Sequence, residues 1–255
     1  MSSKPPVWPE GVGRQILATV DSTNDEAARL AASGRRNPCW ILALEQTRGR
    51  GRRGRAWIAP PGNFSATLLM FPTEPPAQVA LRSFVAALAL HDALVAVTGR
   101  SAGLGLKWPN DVLLNGGKLA GILLESGSAA GGVSHLSVGI AVNLLAAPAQ
   151  DQLEPGAVPP VSLLSQTGVR VRPEAFLEAL APRFARYEQQ FVTCGFAPIR
   201  SAWLARAARL GETITARCGQ ESLSGRFETL DERGALVLHT AQGRRRISAG
   251  EVFFQ

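Results

Sequence analysis

Along its first 145 residues the chain alternates between short apolar runs bounded by turn residues and longer stretches with helical spacing. The short runs predict buried strands at 14–20, 40–45 (WILALE) and 63–71 (NFSATLLMF). Between the first two, Thr23 with Glu26 three positions on makes a capping box for a helix carrying Ala27, Ala28, Leu30 and Ala31, closed at Gly34. Residues 77–97 are rich in Ala and Leu at helical spacing and predict one long helix whose apolar face covers a sheet. A dense strand region follows at 104–108, 111–114, 118–125 and 135–144, joined by turns at Pro109-Asn110 and Gly116-Gly117 and by a Gly/Ser/Ala stretch after Glu125.

Residues 146–160 are rich in Pro and Ala with little periodicity, which predicts a loop or a cover over something. Helices are predicted at 173–191 and 198–210, each opening on a proline suited to the first turn. From Gly211 the texture changes to short alternating segments (ETITAR, ESLSGRFETL, GALVLHT, RRRISAGEVFF), with a hairpin turn at 231–234. They predict a small β-barrel of under 50 residues that leans on the rest of the chain for its core. No internal repeat is visible.

Composition narrows the class. With 255 residues, 45% hydrophobic and 18% charged, the chain is long and apolar enough to fold around a sizeable core. The longest apolar stretch, 79–97, is interrupted by Arg82, His91 and Asp92, so no membrane contact is expected. An N-terminus with Lys4 and scattered prolines lacks the apolar centre of an export signal, and a cytoplasmic location is expected. Cys39, Cys194 and Cys218 are distant and never in a CxxC spacing, which predicts reduced thiols; His91, His135 and His239 are too scattered to suggest chemistry. The net charge of +7 is concentrated in two runs, five arginines within 48–55 (RGRGRRGR) and three at 244–246. The remainder is close to neutral, so the chain invites local anion binding rather than acting as a generally basic particle.

Three segments can carry chemistry. In RGRGRRGR, Gly49, Gly51 and Gly54 let backbone approach a ligand while guanidinium forks match carboxylates or phosphates. Its plain reading is a solvated loop and its rival an RGG-type nucleic-acid segment; its position between two strands favours an anion-binding loop that orders over a ligand. In LKWPNDVLLNGGKLAGILLE (106–125), Lys107 is equally a snorkelling edge residue or a functional one, whereas Lys118, flanked by Gly116-Gly117 and Leu119-Ala120-Gly121, can aim its ammonium into a cavity. Asp21-Ser22-Thr23-Asn24 is by itself a helix cap worth about 1 kcal/mol, though it also presents hydroxyls and free N–H groups at a helix N-terminus.

Taken in order, DSTN (21–24), EQTRGRGRRGRAW (45–57), KWPND (107–111), GGKLAGILLE (116–125) and VGIAVNL (138–144) resemble the catalytic domain of biotin protein ligases. The resemblance covers about 14–210, and the β-rich end looks like the same family's C-terminal domain. It implies an α+β fold: a mixed central sheet flanked by helices over 1–210, then a small SH3-like β-barrel over 211–255. It also implies ATP-dependent activation of biotin as biotinyl-5′-AMP, with Mg²⁺, and transfer to a lysine of a biotin carboxyl carrier protein domain. Residue by residue, it puts Ser22, Thr23, Asn24, Gln46, Gly49, Arg50, Gly51, Arg52 and Lys118 around biotin. It puts Arg50, Arg52, Arg55, Trp57, Asn110, Asp111, Asn143 and Lys118 on the nucleotide, with Lys118, Arg52 and Asp111 as the catalytic set. Asn110, Asp111 and Asn143 look like nucleotide or metal-side residues, although no metal-ligand set can be named. The flap 48–55 is expected to be mobile without ligand.

Two departures stand out. Bifunctional relatives carry an N-terminal winged helix-turn-helix, whereas 20 residues precede DSTN here, so DNA is not expected as a partner. Ala141 stands where the family often has Gly. The family's adenine-covering loop would fall within 145–164. The sequence leaves a monomer and a homodimer equally open. A lipoate or octanoate ligase on the same fold and, further off, a nucleic-acid-binding module remain the alternatives.

Overall fold

The computed structural model describes residues 7–129, 132–149, 158–219 and 221–254. Seven strands form the main sheet: β1 (Gly13–Val20), β2 (Cys39–Gln46), β3 (Phe64–Met70), β4 (Leu104–Lys107), β5 (Asp111–Leu114), β6 (Gly117–Ala129) and β7 (Gly132–Val142). Their order is β1-β2-β3-β7-β6-β5-β4, with β1 and β2 parallel and all other pairs antiparallel. The parallel pair requires a crossover, which α1 (Thr23–Ala32) supplies. Burial follows position in the sheet. The edge strand β1 alternates, while β2 and β3 bury runs of five and six residues because helices cover both their faces.

On one face, Ala27 and Ala31 of α1 pack against Cys39, Ile41 and Leu69. On the other lie α3 (Arg82–Thr98) and α5 (Pro173–Cys194), with α5 locked to the sheet by edge-to-face pairs of Trp40 with Phe184 and Phe64 with Phe176. The single helix expected over 77–97 is divided into α2 (Pro76–Val79) and α3. At the joint, Leu81, Ser83 and Phe84 donate to the residue three back, and this tighter winding turns Arg82 inward to Glu74 and Glu188. The stretch 76–98 is long and apolar enough to cross a membrane by composition, but it is mostly buried between sheet and helices.

Further boundaries differ from expectation, among them the Gly/Ser/Ala stretch after Glu125, expected as a connector, most of which continues β6 to Ala129 and opens β7 at Gly132. The α1 cap is Ser22, whose side chain accepts from the Asp25 N–H, because the Thr23 hydroxyl turns inward to Gln46. The helix expected at 198–210 is α6, Phe196–Leu204, since the chain after it unwinds to extend the sheet: Leu106 N–H donates to Arg206 O, and Ala208 N–H to Leu106 O. A short helix, α4 (Leu163–Thr167), capped by Ser162 and Ser165, was not foreseen. Of the loop 146–160, residues 150–157 lie outside the described residues, and they are eight of the twenty positions (145–164) where an adenine-covering loop was expected. The end of that loop lies along β6, with Lys118 N–H donating to Pro159 O and Val161 N–H to Lys118 O.

The C-terminal strands β8 (Thr213–Cys218), β9 (Glu221–Leu230), β10 (Leu236–Thr240), β11 (Gly243–Ile247) and β12 (Glu251–Phe253) form an antiparallel sheet of order β11-β10-β9-β8-β12, consistent with an SH3-like fold. It leans on the preceding part of the chain, as expected, through the β4–β5 turn and the helices. Trp108 Nε1 donates to Gly234 O at 3.0 Å, and Phe227, Leu236 and Leu238 belong to the same apolar core as Phe84 and Trp203.

Candidate active site

A cavity of about 360 Å³ opens between the start of α1, the arginine flap, the ends of β5 and β6, and β12. Its two ends differ in chemistry. At the first, Thr23 and Asn24 are buried at the N-terminus of α1, whose leading N–H groups are taken up by side chains: Ser22 N–H by Asp21, Thr23 N–H by Gln46 and Asp25 N–H by Ser22. Gln46 Oε1 accepts from the Thr23 N–H at 2.8 Å and from its hydroxyl at 3.0 Å. Asn24 Nδ2 donates to Glu125 Oε2 at 2.6 Å, while Asn24 Oδ1 accepts from the hydroxyl of Thr67 on β3 at 2.6 Å. Gly139 lies beneath this amide, and a Cβ there would sit 2.5 Å from Asn24 Oδ1.

The flap is a hairpin. Gly51 N–H donates to Arg55 O, Trp57 N–H donates to Gly49 O, and Arg53 takes the left-handed conformation (φ 59°) at its tip. Gly49 has no room for a side chain: a Cβ would be 2.8 Å from Trp57 O. The arginines have divided tasks. Arg50 makes two 2.6 Å hydrogen bonds to Asp25 and two more to Glu125, at 2.9 and 3.1 Å, tying the base of the flap to α1 and β6. Its guanidinium holds the Asp25 carboxyl below the usual carboxylate range. Arg55 forms a fork–fork pair with Glu251 at 2.9 and 3.0 Å, and Arg53 also approaches Glu251. Arg52 points inward, donating to Asn110 Oδ1 and Gly250 O.

At the second end, Asp111 sits between two lysines: Lys118 Nζ is 2.8 Å from Oδ1 and Lys107 Nζ 3.6 Å from Oδ2. Burial opposes ionisation of Asp111, but the two ammonium groups prevail and hold its carboxyl below the usual range. Burial pushes Lys107 and Arg52 down from their ordinary values, although a guanidinium stays protonated throughout the accessible pH range. Lys118, Lys107 and, at longer range, Arg52 act on the Asp111 carboxylate, while Glu251 is shared with Arg53 and Arg55, a surplus of positive charge that favours an anion. Trp57 lies over β6, made possible by Gly121, where a Cβ would come within 3.3 Å of the indole, and Lys118 Nζ is 5.6 Å from its ring. Asn143 Nδ2 donates to Val161 O, while its Oδ1 is buried without a partner among the described residues.

Every site residue expected from the sequence lines this cavity except Gly49, which packs against Trp57 backbone. Lys107, left open between edge and site, is 4% exposed and lines it too. Arg217, Glu251, Val252 and Phe253 also reach it from the C-terminal sheet, and sequence reasoning missed them because no local pattern marks a residue that meets a cavity only by docking. Thr67 and Glu125 were missed as well; a Thr and a Glu within apolar strands, where each needs a partner, were the available signal. The two arginine runs are not brought together. Arg244–246 lie on β11, with Arg244 paired to Glu228, at the opposite edge of the sheet from β12. No cluster of three His, Cys, Asp or Glu suited to a metal occurs among the described residues.

Known proteins resemble this chain in sequence and fold. The profile of the biotin/lipoate A/B protein ligase family matches residues 16–143, and that of the biotin protein ligase C-terminal domain matches 210–255. A biotin–[acetyl-CoA-carboxylase] ligase of Paracoccus denitrificans is 56% identical over 94% of this chain and 99% of its own. One from Mycobacterium tuberculosis is 29% identical over 93% and 87%. The solved biotin protein ligase of Aquifex aeolicus in complex with biotin and ATP superposes with a TM-score of 0.81 at 26% identity, covering 94% of this chain and 97% of that one.

Proposed function

The chain belongs to the biotin/lipoate A/B protein ligase family, and from that premise we propose that it is a biotin–[acetyl-CoA-carboxylase] ligase, with residues 1–210 carrying the chemistry and 211–255 closing the site. It activates biotin with ATP and passes the biotinyl group to a lysine of a carboxylase's biotin carrier domain. The observation that carries this reading is the convergence of a polar pocket and a cationic pocket on one cavity, with Lys118 beside Asp111 and the arginine flap at its rim.

The chemistry follows from charge. A free carboxylate is a poor electrophile. Its oxygen must attack the α-phosphorus of ATP, breaking the bond to pyrophosphate and leaving a mixed anhydride. Both reactants are anions. Lys118 and Arg52 supply the positive field that lets them meet, Lys118 between the carboxyl oxygen and the α-phosphate. Asp111 holds the Lys118 ammonium in place without cancelling the local excess. The amine of the carrier lysine then attacks the acyl carbon, AMP departs, and the amine's proton is released.

Thr23 and Gln46 address the polar ring of biotin, with Ser22, Asn24, Gly49 and Gly51 shaping that pocket. Arg50 anchors the flap rather than reaching the phosphates. Trp57, Asn110, Asn143 and Arg55 serve the nucleotide side. Magnesium fits this donor set as an ion carried on the triphosphate, because such ions are held by one or two oxygen ligands plus phosphates; Asn143 Oδ1, which has no partner among the described residues, would be such a ligand, whereas both Asp111 oxygens already face Lys118 and Lys107. When bound, the ion neutralises the departing pyrophosphate. All three cysteines are free, which fits a reducing, cytoplasmic setting.

The test is mass spectrometry of a biotin carboxyl carrier domain after incubation with this protein, biotin and Mg-ATP. One biotinyl group on a single lysine is expected. Modification with lipoate or octanoate in place of biotin overturns the reading.

A further inference from the structure

Thr67 belongs to no motif and does not line the cavity, yet it is fully buried on β3 directly beneath the polar pocket. Its Oγ1 lies 2.6 Å from Asn24 Oδ1 and 2.8 Å from Thr23 Oγ1, which in turn lies 3.0 Å from Gln46 Oε1. Two hydroxyl protons serve these three contacts. Asn24 Oδ1 can only accept, and the Asn24 Nδ2 is committed to Glu125 Oε2, so Asn24 Oδ1 draws the Thr67 proton. Gln46 Oε1 can likewise only accept, so the Thr23 hydroxyl proton is held within the array, between Gln46 and Thr67. The register makes this possible. Thr67 pairs with Gly139 across β3 and β7, and the missing side chain there gives the Asn24 amide its seat.

We infer that Thr67 is a positioning and specificity-determining residue: its hydroxyl fixes the Thr23–Asn24–Gln46 array in the orientation that selects a cyclic urea over an apolar acyl chain. The inference rests on the reading of the substrate as biotin. A ureido ring presents a carbonyl acceptor and two N–H donors, and it gains from a pocket whose donors and acceptors are already oriented. An alkyl chain or dithiolane makes no such demand. Without the Thr67 hydroxyl, Asn24 Oδ1 loses its donor while buried, and the array can relax into other hydrogen-bonding patterns.

The experiment measures pyrophosphate exchange by the full chain, comparing wild type with T67V, which keeps the shape, and T67S, which keeps the hydroxyl. Biotin, lipoate and octanoate are each supplied as substrate. T67V is expected to raise the biotin KM about tenfold with kcat within about twofold, T67S to restore it, and the octanoate and lipoate KM values to stay unchanged or fall. T67A replaces T67V should the latter fail to fold, as judged by thermal melting. A biotin KM for T67V within about twofold of wild type overturns the inference, as does equal loss in T67S, or an octanoate KM that rises in step with that for biotin. Wild-type exchange with octanoate or lipoate and not with biotin overturns the substrate reading itself, an outcome visible before any variant is compared.

Discussion

The two ends of the cavity solve opposite problems. At the Thr23 end the polar side chains bind one another, and the Arg50 charge is matched by Asp25 and Glu125. At the Lys118 end, Lys107, Lys118 and Arg52 gather around one carboxylate and leave positive charge over. A satisfied network is rigid and can present a neutral, directional ligand with a fixed pattern. An under-compensated cluster pays for its own desolvation until an anion arrives, so its binding energy is released where negative charge gathers. The contrast teaches that the same residue type takes different roles by placement: Arg50 and Arg52, two positions apart on one flap, face a carboxylate pair and the cavity interior beside Asn110 respectively.

The largest test of this division is K118A. Removing the ammonium from the charged end should lower biotin-dependent pyrophosphate exchange by about a thousandfold, comparable to deleting a principal transition-state donor. Exchange near the wild-type rate would remove Lys118 from catalysis. Next is G139A, aimed at the polar end. The added Cβ would press on Asn24 Oδ1 at 2.5 Å, so the variant should lose about 1–3 kcal/mol of stability and bind biotin more weakly by isothermal titration, with ATP binding little changed. Weakened ATP binding of the same size would mean that the two ends are not independent.

K107M sharpens the charged side alone. Because burial already disfavours the Lys107 ammonium, its removal should leave the melting temperature nearly unchanged while raising the ATP KM about tenfold. E251Q should have the smallest effect, since it weakens exposed flap pairs with Arg53 and Arg55. We expect faster hydrolytic loss of the adenylate by a few-fold, with the initial exchange rate preserved. The same contacts carry a pH signature. The hydrogen bond from Arg55 holds the Glu251 carboxyl, and that from Arg50 the Asp25 carboxyl, below the ordinary range. Their stabilisation is therefore complete above about pH 5 and lost as the pH falls through about 4 and below, which amide hydrogen exchange of the flap against pH can follow.

Much of the site was legible because its pieces are contiguous. DSTN, RGRGRRGR and KWPND each concentrate unusual chemistry within a few residues, and glycines at 49 and 121 mark where backbone and indole approach closely. Details set by competition between local and distant partners were not. Thr23 with Glu26 fits a capping box as well as Ser22 fits a cap, and Gln46, 23 positions away, decides between them by claiming the Thr23 hydroxyl. The alanine- and leucine-rich stretch reads as one helix until Arg82 finds Glu188 on α5. Likewise 205–210 reads as helix until the edge of β4 offers it backbone partners.

Sequence alone determined the strand and helix texture, the identity of the cationic groups and the order of the motifs, because periodicity and composition are local properties. Tertiary structure decided which arginine meets a carboxylate, that Lys107 is buried beside Asp111, that Glu251 latches the flap, and that Thr67 lies under the polar pocket. Each of those depends on strand register and on docking of the C-terminal sheet, where distances of a few ångströms between residues far apart in the chain set the electrostatics.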